Sequence, residues 1–347
     1  MAISDIQVAI DNCIIALKLE NVDTYLDFND LLARDDIDWV LIGSKNYLHA
    51  GHCIKAFEAG KHVFCEKPLA TTIEDCNKIH ESHKKSGKLF ETGFVLRHAP
   101  LYSTIHKMVN IDKKLGKIIS VEANETLYPG HGGYIMRNWR KDIKESGPHI
   151  LEKCCHDIDI LSWIIGSVPS YVSAFGGTDI YIPENAPEDE KVRDLYKTWS
   201  QAYDDVDPFE SEKTIEDNLV TIMQFRNGVR CSFHTNSNTA WSERRIFICG
   251  TKGTIEADLV QNTIKWQVIG ESKQEIILKT TGLHGGGDIR IIEDLVKCMI
   301  ENSLPKTSAE QGFISAIICL SIDEARRKNQ VVDLEPIWNQ FNIELPK

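Results

Sequence analysis

The sequence contains no glycine before Gly43. A GxGxxG loop, which lets a backbone approach the phosphates of a dinucleotide, therefore does not precede that position. No apolar run approaches the roughly 20 residues that a membrane helix needs, and MAISDIQVAID lacks the regions of a signal peptide. The ten cysteines include no CxxC pair, which favours reduced thiols over disulfides or a zinc knuckle. We therefore expect a cytoplasmic protein.

Positive charge is also scarce. The formal net charge of −12 argues against nucleic-acid binding, because neutralising phosphates requires a basic face. Residues 184–217 hold twelve acidic residues and four basic ones, a composition that predicts a solvated surface insertion. The length of 347 residues favours two domains.

The first third of the chain alternates short apolar runs with amphipathic segments. The apolar runs IQVAID, DWVLIGS, KHVFCEK and KLFETGF predict buried parallel strands, and the segments between them predict helices. Gly60 and Gly87 stand where two of these helices should end. In this interpretation Asp11 follows a strand formed by IQVAID, although an acid at that position is equally typical of a simple turn.

After Gly116 the pattern changes to alternating strands. The segment TIMQF-RNG-VRCSF predicts an antiparallel hairpin, and helices are expected at 288–301, with Asp288 as its N-cap, and at 309–328. We predict an α/β Rossmann-like doubly wound parallel sheet over residues 1–116. An open, mostly antiparallel α+β domain should follow over 117–347, with the acidic insertion at 184–217.

The segment HILEKCCHDIDILSWIIG carries a polar stripe in apolar surroundings. On a single helix, Glu152, His156 and Asp159 would recur on one face. A solvated ion pair and a metal site are two readings, but no further histidine or cysteine cluster completes a metal shell, so we expect no metal. Proton transfer suits the pattern better, with His156 as the base and a carboxylate one turn away that orients its ring.

Lys67 in GKHVFCEKPLA follows a predicted parallel strand. Doubly wound sheets bind ligands at the carboxyl ends of their strands, where an ammonium stabilises a developing alkoxide. The alternative is an ordinary surface lysine. Sequence spacing alone does not bring Lys67 to His156.

Together these segments resemble the Gfo/Idh/MocA family of NAD(P)-dependent oxidoreductases. The motifs are AGKHVFCEKPLA, SGKLFETGFVLRHAPLY, HDIDILSWIIG and HGGGD, and the likeness runs from about Val8 to Leu334. The resemblance implies a Rossmann domain, then an open sheet through which subunits form homodimers or homotetramers. It implies NAD or NADP as cofactor, and hydride transfer to or from a secondary alcohol of a sugar or inositol held between the domains.

The resemblance also assigns roles to residues. The catalytic set it implies is Lys67, His156 and Glu152. The cofactor-binding set is Asp11, Ser44, Asn46, His49, Glu66, Lys67 and Arg97. The substrate-binding set is Lys67, His156, Asp159, Trp139 and Arg140. An aspartate holding the ribose diol would favour NAD over NADP.

The family pattern begins with a strand, a glycine-rich loop and a helix that this sequence lacks. We expect a unit of about 25 to 30 residues to be absent. Three explanations of this absence are open. The recorded sequence could start internally, the protein could be a short form with impaired cofactor binding, or it could have lost redox catalysis. Two functional alternatives follow: a non-catalytic binding or assembly subunit, and a glycosidase that uses tightly held NAD for transient oxidation.

Overall fold

A computed structural model describes residues 1–199 and 206–341 of the chain. Its N-terminal part alternates short strands with helices. These elements are β1 (Ala2–Ser4), α1 (Gln7–Leu17), β2 (Asp23–Tyr25), α2 (Phe28–Leu32), β3 (Trp39–Ile42), α3 (His49–Glu58), β4 (His62–Cys65), α4 (Ile73–Ser86), β5 (Phe90–Thr92) and α5 (Pro100–His106). Strands β3, β4 and β5 form one parallel sheet, and β1 pairs with β2 in a separate parallel ribbon.

The predicted alternation is confirmed from β3 to β5. Helix α4 shows why the sequence folds in this way: the Thr72 side chain accepts a hydrogen bond from the Asp75 N–H at its start, and Gly87 adopts φ +62° at its end. Between the helices, Val63 and Cys65 of β4 are completely buried. The carboxyl ends of the three strands therefore lie at one edge of the sheet.

The prediction of a strand at IQVAID is wrong, because this segment begins helix α1. A short apolar run does not distinguish a strand from a helix by pattern alone. Asp11 lies on the exposed surface of α1 and accepts a hydrogen bond from Gln7 Nε2 at 2.8 Å. The acid that follows a strand is Asp5, whose Oδ1 accepts from the Ile6 N–H at 2.7 Å immediately after β1.

The C-terminal part contains a nine-stranded sheet. Its strands are β6 (Ile118–Thr126), β7 (Pro169–Gly177), β8 (Asn218–Phe225), β9 (Arg230–Asn236), β10 (Arg245–Gly250), β11 (Gly253–Asp258), β12 (Thr263–Val268), β13 (Gln274–Ile277) and β14 (Val332–Asp333). Their spatial order is β13-β12-β11-β10-β6-β9-β8-β7-β14, and every neighbouring pair is antiparallel except β6 and β9. The predicted fold class and the β8–β9 hairpin at Gly228 are confirmed.

The C-terminal part also contains helices. They are α6 (Pro129–Ile135), α7 (Ile143–Ser146), α8 (His149–Glu152), α9 (Cys155–Ile165), α10 (Glu190–Leu195), α11 (Gly287–Glu301), α12 (Ala309–Lys328) and α13 (Glu335–Gln340). Helix α12 begins with a capping box formed by Ser308 and Gln311, and it packs against β7, α9 and α4. The N-cap of α11 is Gly286 rather than the predicted Asp288, which lies in the first turn. Because α12 contacts elements of both parts, it joins the two sheets through a shared core.

The prediction that residues 184–217 are a solvated insertion is only partly correct. Tyr196, Phe209 and Ile215 are buried in a small apolar cluster. Asp217 is completely buried and accepts hydrogen bonds from the N–H groups of residues 179, 180 and 181. Two of the acidic residues, at positions 204 and 205, lie outside the described residues. The domain division at 116/117 and the insertion bounds stay predictions.

All ten cysteines lie within the described residues and are free thiols. The reduced state stays a prediction. None of the helices in the described ranges has the length and hydropathy needed to cross a bilayer.

Candidate active site

A cleft of about 440 Å³ opens at the carboxyl ends of β3, β4 and β5. This is where parallel sheets of this type bind ligands. The N-terminal part contributes Leu41, Phe64, Glu66, Lys67, Gly93 and Val95 to its lining. The C-terminal part contributes His131, Tyr134, Ile135, Arg140, Glu152, Lys153, His156, Trp199, His284, Asp288, Ile291, Ile292 and Leu295. The cleft therefore lies between the two parts, as predicted for the substrate.

Lys67 follows strand β4 and extends across the cleft. Its Nζ donates a hydrogen bond of 2.8 Å to the backbone carbonyl of Glu152. Burial opposes the charged ammonium, but the Glu152 carboxylate, with Glu66, outweighs it and raises the pKa of Lys67 above its usual value. Lys67 therefore presents a fixed positive charge in the cleft at neutral pH.

Glu152 is buried at the end of α8, and its carboxylate faces two cations. Oε1 accepts a hydrogen bond from Arg140 Nε at 2.8 Å. Burial would raise the pKa of Glu152, but Lys67 and Arg140 lower it to about 2. The prediction of one continuous helix is wrong, because α8 ends at Glu152 and α9 begins at Cys155. Among the described residues Glu152 makes no hydrogen bond with His156; it positions Lys67 instead.

His156 lies in the first turn of α9 with 3% of its surface exposed. Its Nδ1 has no hydrogen-bond partner within the described part of the chain. Burial, reinforced by the charges of Lys67 and Arg244, holds the pKa of His156 well below its usual value. The ring is therefore neutral near pH 7 and is able to accept a proton.

Arg97 and Asp159 form a two-pronged ion pair, with both hydrogen bonds at 2.7 Å. Asp159 is buried on α9, and Arg97 lies in the turn that follows β5. Neither residue is among those that line the cleft. The structure therefore places these predicted cofactor and substrate residues in a contact between the two parts of the chain.

The loop after β3 is held in place by hydrogen bonds from its side chains to backbone carbonyls. Asn46 Nδ2 donates to the Ser146 carbonyl at 2.8 Å. The His49 ring nitrogens contact the carbonyls of Pro68 at 2.8 Å and Ser44 at 3.0 Å. Burial opposes charge on His49, but Cys65 and these two carbonyls raise its pKa to about 9. His49, Asn46 and Ser44 thus hold the loop against the segment that carries Lys67.

Arg140 and Trp139 are neighbours with different positions. The Arg140 guanidinium lies 4.3 Å from the Trp139 ring centroid and 4.7 Å from that of Tyr134. Arg140 lines the cleft. Trp139 is not among the lining residues, and its ring packs against the Arg140 guanidinium.

Sequence reasoning missed several residues of the cleft. His131 stacks on Trp199 with ring centroids 4.3 Å apart. His284 Nδ1 lies 2.8 Å from Asp288 Oδ1, and the His284 ring centroid is 5.6 Å from that of His156. The segment HGGGD was predicted to begin a helix and counted among the family motifs, but no role in the site was assigned to His284. Trp199 stood in a segment predicted to be a solvated surface.

The structure leaves open space at the carboxyl end of β3. Gly43 follows β3, and a Cβ built there would meet no atom within 4 Å, so the backbone borders open space that a ring system could approach. Glu66 follows β4, and Asp5 follows β1. The sequence has no GxGxxG segment that would hold the pyrophosphate of a dinucleotide.

Comparison with known proteins identifies the family. The Gfo/Idh/MocA model described as an oxidoreductase family with an NAD-binding Rossmann fold matches residues 11–94, and its C-terminal alpha/beta domain matches residues 109–334. The chain belongs to the Gfo/Idh/MocA oxidoreductase family. The predicted family, the oxidoreductase class and the nicotinamide cofactor are thereby confirmed.

Several known proteins are similar to this chain at low identity. YteT of Bacillus subtilis is 26% identical over 317 residues, covering 77% of this chain and 74% of YteT. The 1,5-anhydro-D-fructose reductase of Ensifer adhaerens is 22% identical over 88% of this chain and 82% of its own. A solved levoglucosan dehydrogenase in complex with NADH and levoglucosan has a TM-score of 0.78 at 21% identity, covering 96% of this chain and 89% of that one. Across these two curated relatives and two others, the alignment to this chain covers between 59% and 82% of the relative's own length.

Proposed function

We propose that this protein transfers a hydride between NAD(P) and a secondary alcohol of a sugar, a sugar derivative or inositol. The observation that carries the proposal is that Lys67 and His156 line one cleft at the carboxyl edge of the parallel sheet. One group is a fixed cation and the other a neutral imidazole. An alcohol oxygen placed between them would have both a charge to stabilise it and a base to deprotonate it.

The two residues divide the chemistry of the alcohol. His156 takes the hydroxyl proton as the substrate is oxidised, and returns it in the reverse direction. The Lys67 ammonium stabilises the negative charge that develops on the oxygen. Glu152 keeps Lys67 charged and, through its carbonyl, aims the ammonium across the cleft. When bound, nicotinamide accepts or supplies the hydride.

For the cofactor, we assign Glu66 and Lys67 to the nicotinamide end and the loop of Ser44, Asn46 and His49 to a supporting position beneath it. Asp5 replaces Asp11 as the acid for the adenosine ribose, because it follows a strand and Asp11 does not. A carboxylate in that position accepts hydrogen bonds from a ribose diol and repels a 2′-phosphate, which favours NAD.

The cleft suits a polyhydroxylated substrate. Arg140, Lys153, His131 and His284 surround the reacting position with hydrogen-bonding groups, and Trp199 offers an aromatic surface. The activity of the Ensifer adhaerens relative, a reductase of an anhydro sugar, is in keeping with this substrate class.

We also propose assembly through the open sheet, as a homodimer or homotetramer. Phe175 of β7 is 68% exposed and pairs with the exposed Val220 of β8, and Ile222 lies exposed on the same face. An apolar patch of this kind is typical of a protein interface. Light scattering of the protein and of an Ile222→Asp variant tests this assembly. The free thiols accord with a cytoplasmic location.

The function is tested by titrating the protein with NADH while following nicotinamide fluorescence, then screening polyols and anhydro sugars for reduction of NAD and NADP. Saturable binding and substrate-dependent NADH formation are expected. No binding at millimolar cofactor would leave the assembly role as the better account. Cofactor that survives gel filtration, with turnover but no net NADH, would favour the redox-neutral glycosidase.

A further inference from the structure

We infer that Glu91, His98 and Asp294 form a binding site for a divalent transition-metal cation of the Zn²⁺ type. These residues lie outside the set that lines the cleft. The inference is independent of the proposed function, because the site has its own ligand and a different measurement tests it.

Three elements bring the side chains together. Glu91 lies on β5, His98 ends the short turn of residues 95–98, and Asp294 lies on α11. One ligand atom from each side chain lies within 4.8 Å of the other two. The first two residues are seven positions apart, but Asp294 comes from the other part of the chain, so the fold rather than the sequence creates this cluster.

The two inner side chains are buried without adequate partners. Glu91 is 0% exposed, and its Oε2 has no hydrogen-bond partner among the described residues. His98 is 3% exposed, and within the same ranges neither of its ring nitrogens makes a hydrogen bond. Its Nε2 lies 4.0 Å from Glu91 Oε1, which is too long for a hydrogen bond. Buried polar groups in this state are costly, so a missing partner is expected.

A metal ion would satisfy these groups together. Ligand atoms lie about 2.0 to 2.2 Å from a tetrahedral zinc, so any two of them are about 3.3 to 3.6 Å apart. His98 Nε2 and Glu91 Oε1 are 4.0 Å apart, and each of the three ligand atoms lies within 4.8 Å of the other two, so side-chain shifts of about 1 Å or less would bring them to that spacing. One imidazole and two carboxylates suit Zn²⁺ or Mn²⁺ better than Ca²⁺ or Mg²⁺, which prefer oxygen ligands alone. Asp294 is half-buried, which leaves a path for the ion and for water ligands.

A second cluster of possible metal ligands is already balanced by protein cations and needs no metal. Glu125, Cys154 and Asp157 also converge within 4.8 Å. There Arg244 donates to Asp157 at 2.8 and 2.6 Å, and Lys153 Nζ lies 3.1 Å from Glu125. Protein cations already balance those carboxylates. Glu91 forms no ion pair with a lysine or arginine of the described residues, although the charge of Lys306 acts on it from a distance. It accepts a hydrogen bond from the Thr307 hydroxyl at 3.2 Å, and the His98 ring nitrogen lies 4.0 Å away.

The ion would act as a brace for the cleft wall. Helix α11 lines the cleft through Ile291 and Leu295, which flank Asp294. Strand β5 and the turn after it contribute Gly93 and Val95 to the same cleft. A metal held by Glu91, His98 and Asp294 would link α11 to β5 and the turn after it. It would do so outside the cleft, without contacting the reacting groups.

The test uses untagged full-length protein dialysed against a chelator and then back into buffer with Zn²⁺, Mn²⁺ or Mg²⁺ alone. Elemental analysis should recover about one equivalent of Zn²⁺ or Mn²⁺ per chain. Metal in hundredfold excess over its dissociation constant should raise Tm by about 4 °C. Stoichiometry below a tenth, with Tm unchanged by any of the three ions, would overturn the inference.

Variants locate the ion. Asp294→Asn, at a half-buried position, and Glu91→Gln should each lose the bound metal and the metal-dependent rise in Tm. His80→Gln is the matched control, since His80 is also buried with unpartnered ring nitrogens but belongs to neither carboxylate cluster found in the described residues. Metal retained by Asp294→Asn and by Glu91→Gln would refute the assignment, even if the wild-type protein binds zinc elsewhere.

Discussion

Lys67 Nζ donates a hydrogen bond of 2.8 Å to the backbone carbonyl of Glu152, which is 85 residues further along the chain. This contact joins the strand edge of the parallel sheet to the helices of the second part. It also places the lysine next to a carboxylate with a pKa of about 2. The charge state of the cleft is thus set by a contact that exists only when both parts of the chain are docked.

We expect Lys67→Met to lower kcat by about 100-fold or more, because the charge that stabilises the alkoxide is lost while the apolar stem is kept. Steady-state NADH formation measures the loss, and thermal melting checks the fold. Lys78→Met, at an exposed lysine that bonds Asp75 on α4, is the matched control and should keep full activity. Full turnover by the Lys67 variant would contradict the assigned role.

Glu152→Gln should shift the alkaline limb of the rate profile to lower pH. The raised pKa of Lys67 depends on Glu152, and without that carboxylate burial dominates and lowers it. Activity would then be lost as pH rises through the new, lower pKa of Lys67. The alkaline limb of the variant should therefore lie about one pH unit or more below that of the wild-type protein. Glu145→Gln, which removes a carboxylate paired with Lys45 instead, should leave the limb in place. An unchanged limb in Glu152→Gln would show that another group keeps Lys67 charged.

His156 should make the protein sensitive to acid. Its pKa in the folded state lies well below the usual 6.5, so below that pH the unfolded chain binds a proton that the folded chain does not. Stability therefore falls as pH decreases below about 6.5, by up to about 1.4 kcal/mol per pH unit for this one group. His156→Asn removes that contribution. Urea unfolding at several pH values between 7 and 5 should give a shallower pH slope for the variant, and identical slopes would contradict the assignment.

The sequence predicted the architecture better than the site. Three apolar runs (DWVLIGS, KHVFCEK and KLFETGF), the helix end at Gly87 and the Asn-Gly hairpin are local signals, and each predicted its element correctly. Lys67 and His156 were identified by their motifs. Their neighbours were not, because Trp199 and His284 reach the cleft through tertiary packing that has no signature in sequence spacing.

The errors have local causes. The segment IQVAID was too short to separate a strand from a helix, so the acid after the first strand was assigned to Asp11 instead of Asp5. The break between α8 and α9 has no glycine or proline to announce it. Because the helix is interrupted after Glu152, this residue makes no hydrogen bond with His156 within the described residues and positions Lys67 instead.

Asp159→Asn tests whether the Arg97 pair is structural. We expect a loss of about 3–5 kcal/mol in the free energy of unfolding, because the variant leaves a largely buried guanidinium without its charge partner. A double variant, Arg97→Met with Asp159→Leu, should recover part of that loss. Chemical denaturation measures both. A variant that kept its stability but lost affinity for substrate would instead support a binding role for Asp159.

Trp199→Ala tests whether the acidic segment takes part in substrate binding. Trp199 stacks on His131 at the mouth of the cleft and is half exposed, so a sugar ring that packs on this pair should lose about 1 kcal/mol of binding in the variant. Such a loss corresponds to an increase in KM of about fivefold, with kcat little changed, because Lys67 and His156 remain in place. Trp241→Ala is the control, since Trp241 is 77% exposed and does not line the cleft. Equal KM values for the two variants would show that the segment only covers the surface. A raised KM in Trp199→Ala alone would mean that substrate selection depends on a residue outside the motifs that define the family.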